Sequence, residues 1–251
     1  KELEPILYIE DWHANKLFRN QSKKIGETLE QDGLNIFRAR IEEILNKYEK
    51  DEYSPVWRPA IEDHEQNKDR HDALNVLITG LRDVLSGYIE EHIAKKAQEV
   101  FDYLSDLLKS KFKLFHRIAI YAIGVYFDVL KSSISTIIDQ IYFTSHYRHE
   151  LFHLLKNNFA KFKEDDKRKV LQIIDSLTVD TDKDEDIKRK QTAYKKLIWL
   201  TAIKDKGYEP ADKLYSQYFA VINVEPDHPD FSSYMEVGWV GEISPYKAEE
   251  L

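Results

Sequence analysis

Cysteine is absent from the 251 residues. Disulfides, thiol nucleophiles and thiolate metal sites are therefore excluded, and the composition fits a reducing, cytoplasmic setting. Glycine and proline are scarce, with 8 and 7 residues, against ordinary usage of about 7% and about 5%. Few backbone breakers among many Leu, Ile, Lys and Glu residues predict an all-α chain. Long apolar runs are lacking too. The longest, IAIYAIGVYF at 118–127, is bounded by Arg117 and Asp128 and falls short of the ~20 residues that span a bilayer, so no membrane partner is expected. No signal peptide is expected from the opening residues, and there is no GxxxxGK[ST], GxGxxG or GxSxG pattern, which leaves phosphate loops, dinucleotide folds and serine elbows without a sequence basis.

An excess of positive charge is also missing. Lys and Arg number 37 against 45 Asp and Glu, a formal charge of −8 with neither sign in a long block. Duplex nucleic acid, which is bound through its phosphates, is not an expected partner. A nucleic-acid-associated alternative would have to use local patches such as Lys109, Lys111 and Lys113, or Lys188, Arg189 and Lys190.

What is present supports a packed core: 42% of residues are hydrophobic and 33% charged, a balance outside the disordered range. Over 69–89, Leu74, Leu77, Ile78, Leu81, Val84, Leu85 and Tyr88 recur at the three–four spacing of an amphipathic helix. The segment from Ile93 to Leu108 repeats the pattern. Residues 112–130 are apolar nearly all round and are expected to be covered on both sides. Further helices are expected at about 33–49, 132–142, 147–162, 165–177, 185–204 and 210–222.

Helix pairs beginning near 69, 112, 149 and 186 give a spacing of roughly 40 residues, which predicts a HEAT-like antiparallel helix-pair repeat, an α-solenoid, over 69–225. An N-terminal helical portion, 1–50, and a connecting segment, 51–68, would precede it. An irregular C-terminal segment, 226–251, would follow, with a short hairpin at YMEVGWV and a helix opening at Ser244 and Pro245 that the chain end cuts. That cut helix, and Lys1 in place of Met, lead us to expect a piece of a larger multidomain protein.

One stretch carries a chemical motif. HELFH, at 149–153, places His149 and His153 at i and i+4 with Glu150 between them, the zincin arrangement of two zinc ligands and a general base. Three features oppose a peptidase. The apolar residues Leu151, Phe152, Leu155, Phe159 and Phe162 define a face from which both histidines point away, beside Lys156 and Lys163. No HxxGxxH continuation supplies a third ligand. Arg148 stands where an apolar residue usually precedes the first histidine. The expectation is a solvated helix face, with a zinc-dependent peptidase as the alternative and adventitious metal capture by His146, His149 and His153 between the two.

DTDKDED at 180–186 offers alternating Asp180, Asp182, Asp184 and Asp186. It has Glu185 where a calcium loop needs glycine and Gln191 where it needs glutamate, so a helix-initiating turn is expected. PDHPDF, with Asp227, His228 and Asp230, reads as a rigid surface loop. Among the aromatics, Tyr53, Trp57, Trp239 and Tyr246 fall outside the helical stripes and are the candidates for an interaction surface, Trp57 also as an anchor of the connecting segment.

SPVWRPAIEDHEQNKDRHDALNVLITGLRDVL, FHRIAIYAIGVY, HELFHLLKNNF and HPDF…VGEISPYKAEEL together resemble the helical regions of very large bacterial proteins that carry an NTPase or sirtuin-like effector upstream, including signal-transducing NTPases of the anti-phage type. The likeness spans residues 54–251 and implies a non-catalytic helical segment that senses a ligand or positions partners, with chemistry elsewhere in the parent chain. It carries over no site residue. The expected function is therefore a scaffold or recognition module without a cofactor, whose partner is a protein or another domain of the same chain.

Overall fold

A computed structural model describes residues 11–48, 51–67, 72–180 and 184–232, without the side chains of 11, 12 and 15. Helices account for most of these residues, and no strand occurs among them. The chain is all-α.

Helix α1 (Asp11–Tyr48) is broken at Glu30, where φ is 50° and ψ −132°. Its two arms fold back on each other, so that the rings of Phe18 and Phe37 meet at 5.1 Å. After the single turn α2 (Ser54–Trp57) comes α3 (Ala73–His92), which Asp72 caps by accepting from Asn75 N at 2.9 Å. Both arms of α1 lie against α3. On the first arm, Ala14, Phe18, Ser22 and Gly26 recur every four residues, and Ala14, Ser22 and Gly26 are buried. This ridge of mostly small side chains lets the two backbones approach closely: a Cβ on Gly26 would stand 1.9 Å from the Val84 carbonyl oxygen, and one on Gly87 would stand 2.0 Å from that of Lys23. Sequence periodicity missed this arm because its buried positions are small instead of large and apolar.

Helices α4 (Ala97–Leu108) and α5 (Lys113–Val125) follow. α5 packs against both α4 and the later helix α8 (Arg148–Asn158), as its all-round apolar surface requires. Its first amides are capped from far away: Asp51 accepts from Lys113 N at 2.7 Å and from Leu114 N at 2.9 Å. Asp51→Ala is expected to cost about 1–2 kcal/mol, the usual worth of a helix cap, measurable as a lowered urea midpoint with an unchanged denaturant slope.

The apolar stretch expected over 112–130 breaks after α5 and ends in the single turn α6 (Phe127–Leu130), and where one helix is expected over 132–142 the chain forms the single turn α7 (Ile134–Ile137) with flanking 3-10 turns. Thr136 Oγ1 bonds back to the Ser133 carbonyl and Asp139 accepts from Ile141 N, so local side-chain bonds compete with the helix ladder. Helices α8 (Arg148–Asn158), α9 (Glu164–Ser176), α10 (Glu185–Ile203) and α11 (Glu209–Ile222) complete the order. α8 packs on α5 and α10, and α10 pairs with α11. One hydrophobic cluster runs from Leu34 to Ala211. No single helix among the described residues is long and apolar enough to cross a membrane.

Candidate functional site

The segment Arg58–Asn67 crosses the surface formed by α3, α5 and α8, and the polar side chains of those helices hold it as a strap. Four consecutive carbonyls are taken. Pro59 O accepts from Arg117 Nη2 at 3.0 Å, and Ala60 O from Arg58 Nε and Asn67 Nδ2, both at 2.9 Å. Ile61 O accepts from Arg58 Nη2 and Arg82 Nη1, both at 3.2 Å, and Glu62 O from Asn67 Nδ2 at 2.8 Å.

All three arginines are buried, at 3%, 6% and 0% exposure for Arg58, Arg82 and Arg117, and each desolvated guanidinium needs acceptors. Arg117 makes a fork to Glu150, with Nε to Oε2 at 2.9 Å and Nη2 to Oε1 at 2.8 Å, while Glu150 Oε1 also accepts from Ile61 N at 3.1 Å. Burial tends to lower Arg82, but hydrogen bonds to Asp83 and Asp63 more than offset it and leave its pKa raised. Arg58 has neutral acceptors only, including Thr79 Oγ1 and Asn75 Oδ1. Burial, followed by the charges of Arg82 and Arg117, pushes it down to about 9, so it remains a cation at neutral pH.

The strap delivers Glu62 to the side of α8 that carries His149 and His153. There His149 Nε2 lies 3.0 Å from Glu62 Oε1, and His153 Nε2 lies 3.1 Å from Asp230 Oδ2. The two imidazole rings are 4.5 Å apart, Phe231 lies 4.5 Å from the His149 ring, and His64 packs beside Phe231, 5.7 Å from the His149 ring and 4.9 Å from that of Phe231. The hydrogen bond with His149 holds the Glu62 carboxyl below the usual carboxylate range. Burial raises Asp230, but the hydrogen bond with His153 and the charges of both histidines prevail and leave it lowered. Burial, then His149, lowers His64.

Beside this cluster, an open cleft of about 570 Å³ is lined by Arg148, Tyr194, Ile198 and the segment 227–229 with Phe231 and Ser232. Arg148 is half-buried there. Its Nη1 donates to the Phe231 carbonyl at 3.1 Å and its Nε is buried without a hydrogen-bond partner. No carboxylate among the described residues forms an ion pair with it, and burial lowers its pKa.

These contacts change the reading of HELFH. Glu150 is not positioned as a general base, because its carboxylate is spent on Arg117 and the strap, at 1% side-chain exposure. His149 is not on a solvated face: it is 5% exposed, since the strap and Phe231 cover what local periodicity shows as the open side. His146 leaves the group, with Nε2 2.6 Å from the Glu52 carbonyl oxygen. The PDHPDF loop joins it through Asp230.

Elsewhere, Tyr53 is exposed and Trp57 is half-buried against the core, while Trp239 and Tyr246 lie outside the described residues, as do the expected hairpin and the helix at Ser244. Asp184 caps α10 through Asp186 N, and Asp186 pairs with Arg189 and Lys190. Lys111 bonds Asn46 and Lys113 pairs with Glu52, so two members of each basic patch are engaged within the protein. Sequence reasoning missed Glu62, His64 and the three arginines; the available signal was Arg82 and Arg117 standing inside otherwise apolar helical stretches.

Comparison with protein-family models, curated proteins and solved structures finds no match to this chain.

Proposed function

We propose that the chain is a non-catalytic, HEAT-like helical recognition module of a larger intracellular protein, and that its ligand enters the cleft beside Arg148. The observation that carries this reading is the guanidinium itself: a half-buried cation with an unpartnered buried Nε, facing a cleft that Tyr194, Ile198 and Phe231 line together with Asp227, His228 and Ser232. A desolvated cation without an acid is unfavourable on its own, and a carboxylate entering the cleft would relieve it. The aromatic and aliphatic walls add apolar contact, so the matching ligand is an acidic side chain next to an apolar one on a protein partner or on another domain of the parent chain. The helix hairpin α10–α11 supports the helix-pair element of the reading, and the cysteine-free composition supports the cytoplasmic element.

The test is selection of a random peptide library on the wild-type protein, followed by affinity measurement of the enriched peptides on wild type and on Arg148→Leu. The expected outcome is enrichment of an acidic residue adjoining an aromatic or aliphatic one, with binding weakened at least about tenfold in Arg148→Leu, as for loss of one charge-assisted contact. Peptides without an acidic residue, or equal binding to Arg148→Leu, would refute it.

A further inference from the structure

We propose that Glu62, His149 and His153 ligate one divalent first-row transition-metal ion, zinc being the reference case, with Asp230 positioning the His153 ring. The donor set comes first. Two imidazoles and a carboxylate form a borderline nitrogen–oxygen set of the kind that binds zinc and its neighbours in a protein without thiolates. One ligand atom from each of the three residues lies within 4.8 Å of the other two. Around an ion with bonds of about 2.0–2.1 Å, tetrahedral ligand atoms stand about 3.3 Å apart. The required closure is at most about 1.5 Å, within the reach of side-chain rotation because the His153 and Glu62 side chains are 31% and 37% exposed.

A second observation is independent of this spacing. His149 is 95% buried by its 5% exposure, yet its Nδ1 has no hydrogen bond and stands 3.8 Å from Asp230 Oδ2. A buried imidazole placed between two carboxylates, one on the strap and one on the 227–232 segment, is poised for more than packing. Glu62 and Asp230 bring two negative charges to one small volume, and a divalent ion supplies the balancing charge from a single point. Asp230, at 3.1 Å from His153 Nε2, has the role of the outer carboxylate that orients a ligating histidine.

This site differs from the zincin arrangement. Its third ligand comes from a residue 87 positions before His149, and Glu150 takes no part. The ion would join the strap, α8 and, through Asp230, the wall of the cleft. It is therefore a cross-link between three distant segments, and it does not depend on what the cleft receives.

Tag-free protein incubated with zinc chloride and desalted should retain one zinc per chain by mass spectrometry, and zinc should raise its thermal midpoint. His153→Ala and Glu62→Gln, both at partly exposed positions, should weaken zinc binding by about a hundredfold or more in calorimetric titration, and Asp230→Asn by about ten- to a hundredfold. His146→Ala, whose ring is occupied at Glu52, should bind as the wild type does. No retained zinc in the wild type, or equal retention in His153→Ala and Glu62→Gln, would overturn the proposal.

Discussion

Glu150→Leu is expected to destabilise the protein by about 3–5 kcal/mol, the cost of leaving a buried arginine without its acid. Total stabilities of ordinary domains are about 5–15 kcal/mol, so the variant should unfold at much lower urea or lose its folded state near physiological temperature. Arg117 is 0% exposed and has no route to water, which puts the effect at the upper end. The double variant Arg117→Met/Glu150→Leu should recover part of the loss, because a buried pair replaced by apolar side chains of similar volume is often close to neutral. Recovery will be incomplete: Pro59 O loses the Arg117 donor and Ile61 N loses the Glu150 acceptor, at about 1–3 kcal/mol for each buried group left unpaired. If Glu150→Leu keeps the wild-type urea midpoint, the fork does not hold the strap.

Gly87→Ala is expected to be the next most damaging single change. In an exposed helix the substitution gains about 1 kcal/mol. Here the new methyl would sit 2.0 Å from the Lys23 carbonyl oxygen, a backbone atom with no rotamer to relieve the contact. Overpacking typically costs about 1–3 kcal/mol and more where the obstacle is rigid, so a net loss of about 2 kcal/mol is expected. Gly26→Ala meets the Val84 carbonyl oxygen at 1.9 Å and should behave alike, since both glycines serve the same contact between α1 and α3. Gly124→Ala is the comparison: its nearest neighbour is the Leu154 Cβ at 3.3 Å, a contact that a small shift accommodates, and the change should stay within about 1 kcal/mol. Equal midpoints for all three variants would contradict the close approach of the two helices.

The helical class was legible from the scarcity of glycine and proline, α3 and α4 from their three–four apolar spacing and α5 from its all-round apolar run, and helices were also expected where α8, α9, α10 and α11 lie, because such signals are local. The first arm of α1 was not, since a ridge of Ala14, Ser22 and Gly26 carries little hydrophobic weight. The helix expected at 132–142 fails for an equally local reason, with Ser133, Thr136 and Asp139 turning hydrogen bonds back on the backbone. At the site, the spacing of His149 and His153 stood out in the sequence, but the role of each neighbour was set by residues far along the chain. Arg117 is 33 residues from Glu150, Glu62 is 87 from His149, and Asp230 is 77 from His153. No periodicity links such pairs; the packing of α5 on α8, the path of the strap and the return of the 227–232 segment to α8 do.

That path also fixes where the molecule can be divided. Helical spacing alone would start an autonomous unit near residue 69, just after the strap. Such a shortened chain would keep Arg82, Arg117 and Glu150 inside its helices while removing the carbonyls of Pro59 and Ile61, the amide of Ile61 and the carboxylate of Asp63 that answer them. It would also strip α5 of its cap at Asp51. The strap is thus a keystone: the helices that follow it form one cooperative unit with it, and a divided chain should recover its shape only when the two pieces are allowed to reassemble.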